Sequence, residues 1–537
     1  MKRPEVTEAD RGQLLALLDK ARSQPLSESE HRQLMSAVET LGYLTDLLGD
    51  KATTLRRLRQ LLGIEFANTE KTADVLAGLE ADGEAESKTE NASGETPVKP
   101  KRNGHGRTPA QAYEKAERVK VAHEELKHGD RCPECNTGNV YTQKEPAQLV
   151  RVTGQAPLQA TVYELERLRC GSCGLVFTAQ APEGVGPEKF DEEAAAMMAE
   201  ARYGTGVPTH RLERLQERLG VPVAASTQWE VLEERADLLK PARDELIRQA
   251  AQGELLHNDD TTMRILKMVR PAGDTRTGVF TSGVVSMVVG VYRVAVFLTG
   301  RQHAGENASD VLKHRAAGLP VPVLMCDASA SNTSELDEDI DYLLARCIPH
   351  GRRKLVAVAG SFPDQCRHML VELGKVFKVD ARAKQDGLKG AERLALHQRE
   401  SKPIMDGLDK WMSDQMAQKL VEPNSGLGKA IGYFQRHWKG MTLFLRKENA
   451  PLDNNIAERA LKKAVLHRKN SLFYRTVHGA EVGDLYMSLI HSCELNHVNS
   501  FDYLVELQRH AGELAASPAD WMPWNYRETL ATLASAG

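Results

Sequence analysis

Apolar positions recur along the chain in three rhythms, each predicting a different kind of element. Near the N terminus Leu34, Leu41, Leu48, Leu55 and Leu62 repeat every seven residues, with Ala37, Leu44, Lys51 and Leu58 at the half-heptad positions. This spacing predicts helix and favours a coiled-coil seam between two chains. Because Gly49 and Asp50 interrupt the run, two amphipathic helices folded on each other form the other reading. Thr7 with Asp10, and Ser27 with Glu30, have the spacing of an N-cap and an acidic third position. Residues 187–250 also read as helices. One, over 211–219, stops at Gly220, and a second restarts at Ser226 and Thr227 through Trp229, Leu232 and Ala236. That is the outline of a helix-turn-helix able to enter a DNA groove, although packed helices account for most such patterns.

Beyond residue 253 the rhythm changes to short apolar runs. Strands are expected at 254–257, 264–269, 279–289, 292–298 and 321–326, with helices at 308–317 and 334–345. Three strands, a helix, a strand and a helix, with aspartates ending the first and fourth strands, is the order of an RNase H-like fold. In a sheet of that order the two strands are neighbours, so Asp259 and Asp327 would converge. Between Arg353 and Pro451 the chain reads mostly as helix, rich in Lys, Arg and His.

Composition narrows the class. Over 537 residues, 41% are hydrophobic and 27% charged, ordinary for a soluble globular protein of several domains. The longest uncharged stretch, 277–292, is broken by glycines and shorter than the ~20 residues needed to span a bilayer. No basic region followed by an apolar one opens the chain, so a cytoplasmic, nucleoid-associated protein without membrane partners is expected. The net charge of −4 is unevenly spread: residues 1–98 carry 18 acids and 12 bases, leaving the remainder weakly positive. Residues 80–96 hold six acids against one lysine and read as a linker, followed by a basic arm at Lys99, Lys101, Arg102 and Arg107.

Eight cysteines are too few for a disulfide scaffold. Four of them form two tight pairs, Cys132 with Cys135 and Cys170 with Cys173, separated by 34 residues. Two such knuckles complete a tetrahedral site for one structural Zn²⁺, and the strand-like residues between them make a zinc ribbon.

The carboxylates carry the reaction chemistry. Two Mg²⁺ (or Mn²⁺) ions need oxygen ligands, one of them bridging, so Asp259 and Asp327 require a third acid from a later helix. Glu458 is the candidate. Ala457, Ala460, Leu461, Ala464 and Val465 form one apolar face, and Glu458 and Lys462 project together at i,i+4. Asn455 and Glu458 equally have a capping spacing, and spacing alone leaves ligand and cap evenly matched.

The run Leu452-Asp453-Asn454-Asn455-Ile456-Ala457-Glu458-Arg459, followed by Arg468-Lys469-Asn470-Ser471-Leu472-Phe473, resembles the C-terminal signature of insertion-sequence-66 family transposases. His257-Asn258-Asp259-Asp260-Thr261-Thr262 is similar to that family's first catalytic block. Cys347, His350, Arg353 and Lys354 match its Cys-x-x-His-x-Arg-Arg-Lys stretch. The resemblance covers nearly the whole chain. It implies a DDE transposase with the triad Asp259, Asp327 and Glu458; neighbouring strand residues point to opposite faces, so only one of Asp259 and Asp260 is expected to reach the metal, and the resemblance favours Asp259. The residues after Asp327 depart from the pattern of many relatives, which have glycine and an aromatic residue there.

The implied activity is cleavage at transposon ends and joining of 3′-hydroxyl ends to target DNA by two-metal phosphoryl transfer. Lys462, Lys463, Arg468 and Lys469 would steady DNA phosphates, with His350 and Arg353 transferred as secondary site residues. Double-stranded DNA, a homo-oligomer and accessory proteins of the same element are the expected partners. The competing readings are a zinc-dependent DNA-binding protein with an inactive RNase H-like core, and a metal-dependent nuclease without strand transfer. The expected architecture is multidomain α+β. It comprises a helical leucine-repeat segment (1–79), a linker (80–108), a zinc ribbon (109–182) and a helical, helix-turn-helix-like DNA-binding segment (183–252). The catalytic core follows (253–355), then a helical insertion (356–450), the final catalytic helix with C-terminal helices (451–515), and a tail (516–537).

Overall fold

Ser27 and Glu30 form the reciprocal cap their spacing predicts. In the computed structural model the Ser27 amide donates to Glu30 Oε2 at 2.9 Å and the Glu30 amide to Ser27 Oγ at 3.4 Å. They separate helix α1 (Arg11–Ala21) from α2 (Glu28–Gly49), which Lys20 and Glu30 bridge at 2.7 Å. The structure describes residues 11–21, 24–49, 111, 125–133, 138–142, 154–169, 176–269, 276–288, 290–333 and 340–536. The seven-residue repeat therefore runs on α2 through Leu48, while Lys51, Leu55, Leu58, Leu62 and the Thr7–Asp10 pair lie outside the described residues. These two helices belong to one compact unit, Met1–Ser87; the rest of the chain forms another, Lys88–Gly537.

In the second unit an Arg131–Asn139 bridge closes the turn that begins at Cys132, whose amide donates to Gly138 O at 2.8 Å. Strands β1 (Arg167–Arg169) and β2 (Val176–Thr178) pair antiparallel. Cys135, Cys170 and Cys173 lie outside the described residues.

Helix α3 (Glu192–Ala199), capped by Asp191, continues into a π-turn at Glu200–Gly204. Helix α4 (Thr209–Arg218) stops at Gly220, whose φ of +79° suits glycine and ends the helix as expected. Helix α5 (Ala225–Ala251) is far longer than a recognition helix needs to be. It buries Leu232, Ala236, Leu239, Ala242 and Leu246 in the main core.

That core is built on a five-stranded mixed sheet, giving an α+β architecture. Its first strands are β3 (Leu255–Thr262), β5 (Phe280–Val288) and β6 (Tyr292–Gly300), which pair antiparallel in that order. After helix α6 (Ala304–Leu312), strand β7 (Val323–Cys326) returns parallel to β3, and β8 (Leu343–Arg346) lies parallel outside β7. Two expectations are corrected. The helix expected over 334–345 is replaced at 343–345 by β8, because a short apolar run that can extend the sheet beside β7 gains more from the ladder than from an isolated turn of helix, while 334–339 lie outside the described residues. The strand expected over 264–269 exists as β4 (Ile265–Lys267), but it pairs with β9 (Tyr474–Thr476) outside the main sheet.

After β8 the chain runs through α7 (Ile348–Val356), then α8 (Pro363–Gln385), α9 (Gly390–Glu400), α10 (Lys402–Ala417) and α11 (Gly426–Met441). These last four form the expected helical stretch. Their polar centre is Asp380, 3% exposed, which meets Arg393 at 2.7 Å, Lys384 at 2.7 Å and His397 at 3.3 Å. Burial alone would raise its pKa, yet hydrogen bonds from His397 and Lys384 and the Arg393 charge outweigh that and hold it below the usual carboxylate range. A depressed pKa contributes stability above the unfolded value and loses it as pH falls, so this subdomain should weaken in acid. Asp380→Ala leaves the nearly buried Arg393 guanidinium without its partner and should lower stability by about 3–5 kcal/mol in chemical denaturation.

Helices α12 (Asn455–Ser471), α13 (Val477–Leu495), α14 (Ser500–Arg509), α15 (Ala511–Ala516) and α16 (Tyr526–Ala536) complete the chain. Helix α13 seals the β6 edge with a polar stripe. Asp484, Ser488, Ser492 and Asn496 accept the backbone N–H groups of Thr299, Phe297, Ala295 and Arg293 at 2.6–3.0 Å. Four residues of helix rise about 6 Å and two of strand slightly more, so the two periods match and the edge is blocked against further pairing. The segment expected as a tail is packed instead: Trp521, Met522 and Tyr526 are buried, and Tyr503 Oη donates to Trp521 O at 2.8 Å. Among the described residues, no helix is long and apolar enough to cross a membrane.

Candidate active site

Strands β3 and β7 run parallel with His257 opposite Met325, so two residues further Asp259, inside β3 rather than at its expected end, comes beside Asp327, just past the end of β7. Burial first, and the Asp327 charge second, push the Asp259 carboxyl up to about 7. Near neutrality this pair therefore calls for a proton or a cation. Asn332, buried in the turn after β7, donates its amide to Asp327 Oδ1, and the Ser329 amide donates to the same oxygen at 2.8 Å. At the end of β8, Arg346 braces the turn from below by donating to the Asp327 carbonyl and, at 3.3 Å, to Thr333 Oγ1.

Asp260 points the other way. Its Oδ2 lies 2.8 Å from His303 Nδ1 and accepts from the Ala304 amide at 3.4 Å, at the start of α6. It serves a helix end, as strand alternation requires. Asp260→Ala should leave divalent-ion binding within about threefold of wild type, whereas Asp259→Ala should weaken it by at least about tenfold; calorimetric titration with Mn²⁺ distinguishes them.

Glu458, in the first turn of α12, comes within 3.8 Å of His350, which itself stands 3.9 Å from Asp327. Its helix begins at Asn454, which has no side-chain capping bond, and the Asn455 amide is taken by Asp453 at 3.0 Å. The capping alternative is thus absent in the structure: the Glu458 carboxylate turns to Arg353 Nη2, 3.1 Å from Oε2. Asn454 does something else. Fully buried, its Nδ2 donates to Asn258 O at 3.0 Å and its Oδ1 lies 2.9 Å from His257 Nδ1, while its amide donates to Cys347 Sγ at 3.3 Å. Burial lowers the His257 pKa to about 4, so the ring is neutral and Nδ1–H donates to the remaining Asn454 acceptor. One asparagine thereby pins the helix bearing Glu458 to the strand bearing Asp259. Gly283 lets that helix come close: it sits opposite Asp259, and a Cβ there would stand 3.1 Å from Leu461 Cδ2.

The first turn of α7 fills the space between Asp327 and Glu458. His350 Nε2 is 3.9 Å from Asp327 Oδ2, 3.8 Å from Glu458 Oε1 and 2.9 Å from Arg353 Nη1. Burial and then the Arg353 charge lower the His350 pKa, keeping the ring neutral. Ligand atoms of Cys347, His350 and Glu458 lie within 4.8 Å of one another. Burial raises the Cys347 thiol to about 12, so sulfur stays protonated and is a poor ligand beside the two oxygens. Asp259 and Asp327, partly buried and close enough for the Asp327 charge to act on Asp259, fit a hard divalent ion.

The basic group of α12 divides in two. Lys463 pairs with Glu494 at 2.7 Å, and Arg468 donates to Thr261 Oγ1 at 2.9 Å and Thr262 Oγ1 at 2.7 Å, so both brace the fold. Lys462 and Lys469 are exposed, seven residues apart on the stripe that carries Glu458. Asn332, Arg346 and the clamping role of Asn454 escaped sequence reasoning; the signal for Asn454 was its place in the Asp-Asn-Asn run before Glu458.

A family model described as Transposase IS66 family matches residues 189–482, more than half of the chain and all of this site. Three proteins of Sinorhizobium fredii (strain NBRC 101917 / NGR234) are similar. Uncharacterized protein y4hP is 24% identical over 396 residues, covering 68% of each chain. Uncharacterized protein y4jD is 30% identical over 190 residues, 34% of this chain and 36% of its own. Uncharacterized protein y4qI is 25% identical over 354 residues, 63% of this chain and 62% of its own. With that match running from before α3 through the sheet and α12 into α13, the chain belongs to the IS66 transposase family.

Proposed function

We propose that the protein is a DDE-type DNA transposase whose RNase H-like core uses Asp259, Asp327 and Glu458 to cut transposon ends and join them to target DNA. The observation that supports this reading is that Asp259 of β3 lies beside Asp327 at the end of β7, while Glu458 at the start of α12 stands on the other side of His350 from Asp327. The strand order supports the fold assignment: three antiparallel strands, then two parallel ones added beside the first.

Asp259, Asp327 and Glu458 would hold Mg²⁺ or Mn²⁺, which when bound lowers the pKa of water and stabilises charge on phosphoryl oxygens. The chain's own residues do the rest. Asn332 aims the Asp327 carboxylate, Asn454 fixes the distance from strand to helix, and Arg353 is placed to meet a phosphate at the rim. Lys462 and Lys469 line the approach and would contact the DNA backbone, which positions without reading sequence. Sequence reading falls to other parts. Arg211, Arg214 and Arg218 form an exposed stripe on α4, and the cysteine pairs at 132, 135, 170 and 173 would hold one structural Zn²⁺ in a DNA-contacting ribbon. The heptad helix would pair two copies, so that two ends are held together.

The test is incubation of the full chain with a plasmid carrying the DNA that flanks its gene, with and without Mn²⁺. Cation-dependent nicks at defined positions, leaving 3′-hydroxyls, support the reading. DNA binding without any nicking favours the inactive-core alternative, and nicks without joined products favour a nuclease.

A further inference from the structure

We propose that His350 is itself a metal ligand, binding one divalent ion through Nε2 between Asp327 and Glu458, and that this nitrogen makes the site prefer Mn²⁺ to Mg²⁺. The inference rests on the carboxylate site being a metal site, and it adds a fourth, nitrogenous ligand to the three acids.

Placement comes first. The Cys347 amide donates to the Cys326 carbonyl at 3.0 Å and the Ile348 amide to Leu452 O at 3.1 Å. The start of α7 is therefore tied on one side to the strand that ends at Asp327 and on the other to the segment leading into Glu458. One turn along, His350 faces the gap between the two acids.

The separations come second. Distances of 3.9 and 3.8 Å are too long for hydrogen bonds, so the imidazole bonds directly to neither carboxylate. Each is slightly less than twice a metal–ligand bond of about 2.0–2.2 Å, so an ion bonded to Nε2 has room to reach the carboxylate oxygen on either side.

The third observation is what occupies the rim. A guanidinium only donates, so the 2.9 Å contact from Arg353 Nη1 makes His350 Nε2 an acceptor with its lone pair turned toward the site. The same guanidinium reaches Glu458 at 3.1 Å. A cationic side chain thus bridges the two groups that the ion would bridge, and ion entry would release Arg353 toward the phosphate. His350 Nδ1, by contrast, is buried without a hydrogen-bond partner, so the ring is oriented through Nε2. Mn²⁺ shares the carboxylate preference of Mg²⁺ but, as a first-row transition ion, accepts one nitrogen ligand at less cost than Mg²⁺, which holds to oxygen and water.

The experiment uses the full chain loaded with MnCl₂ alone and reads nitrogen coupling to the bound ion by pulsed electron paramagnetic resonance. Wild type should show coordinated ¹⁴N. His350→Gln should lose that signal and at least about tenfold in Mn²⁺ affinity, with Mg²⁺ affinity changed less than about threefold. His350→Asp, which restores a ligand but not a nitrogen, should bind both ions without the signal and without preferring Mn²⁺; it guards against a variant that merely folds poorly. A ¹⁴N signal that persists in His350→Gln, or an unchanged Mn²⁺/Mg²⁺ ratio, overturns the proposal. If those results come with ion binding lost in Asp327→Asn, the carboxylate site stands and only the histidine is dismissed. If Asp327→Asn binds Mn²⁺ like wild type, both readings fall together.

Discussion

Glu458→Gln should abolish strand cleavage, with a loss of about a thousandfold or more, while leaving the fold and DNA binding intact. The substitution keeps size and shape but removes the charge that a divalent ion needs, and such an ion supplies several kcal/mol of transition-state stabilisation. Stability should change little. Glu458 makes no capping bond, its helix is held by Asn454, and its partner Arg353 is half exposed, so the ion pair itself contributes modestly. Circular dichroism and a DNA-binding assay beside the cleavage assay separate the two effects.

Asn454→Ala should produce the other large effect, and of the opposite kind. The change removes an acceptor from His257 and a donor from Asn258, both buried. At about 1–3 kcal/mol for each of the two groups left without its partner, the expected destabilisation is roughly 2–6 kcal/mol. Ladder bonds of β3 survive, so the sheet should persist while the start of α12 loosens. Activity should then fall together with thermal stability, and excess divalent ion should recover part of it by drawing Glu458 back toward Asp259 and Asp327. Glu458→Gln offers no such recovery, which makes the two variants a pair of controls for each other.

Much of this arrangement can be read without coordinates, and the physical reason is periodicity. Alternating and continuous apolar runs located β3, β5, β6 and β7, and the three-residue spacing of Ser27 and Glu30 located a helix start. Gly220 marked a helix end because only its conformation suits the turn. The failures share a cause as well. Residues 334–345 read as helix because acids dominate locally, whereas Leu343–Arg346 is fixed by the neighbouring strand, which no local pattern records. The Asp484, Ser488, Ser492 and Asn496 stripe carries no local sign of its role, since it is turned inward to satisfy an edge strand nearly two hundred residues earlier. Residues 516–537 read as a tail because Trp521 and Met522 are isolated apolar positions whose burial depends on a surface built elsewhere.

The site divides along the same line. Asp259 and Asp327 follow from strand order, and Glu458 from its motif, but the groups that align them do not. Asn332 and Arg346 act on Asp327 across turns and strands, and Asn454 acts on β3 across nearly two hundred residues. Lysines of one helix, alike in sequence, separate into a brace at Lys463 and exposed groups at Lys462 and Lys469 only once the packing is known.

The most direct test of the central claim is a strand-joining assay on the DNA flanking the gene, comparing wild type with Asp259→Asn, Asp327→Asn and Glu458→Gln in Mn²⁺. The account predicts nicked and then joined products from wild type, and neither from any variant that still binds the DNA. Joining at the wild-type rate by any one of the three would contradict it.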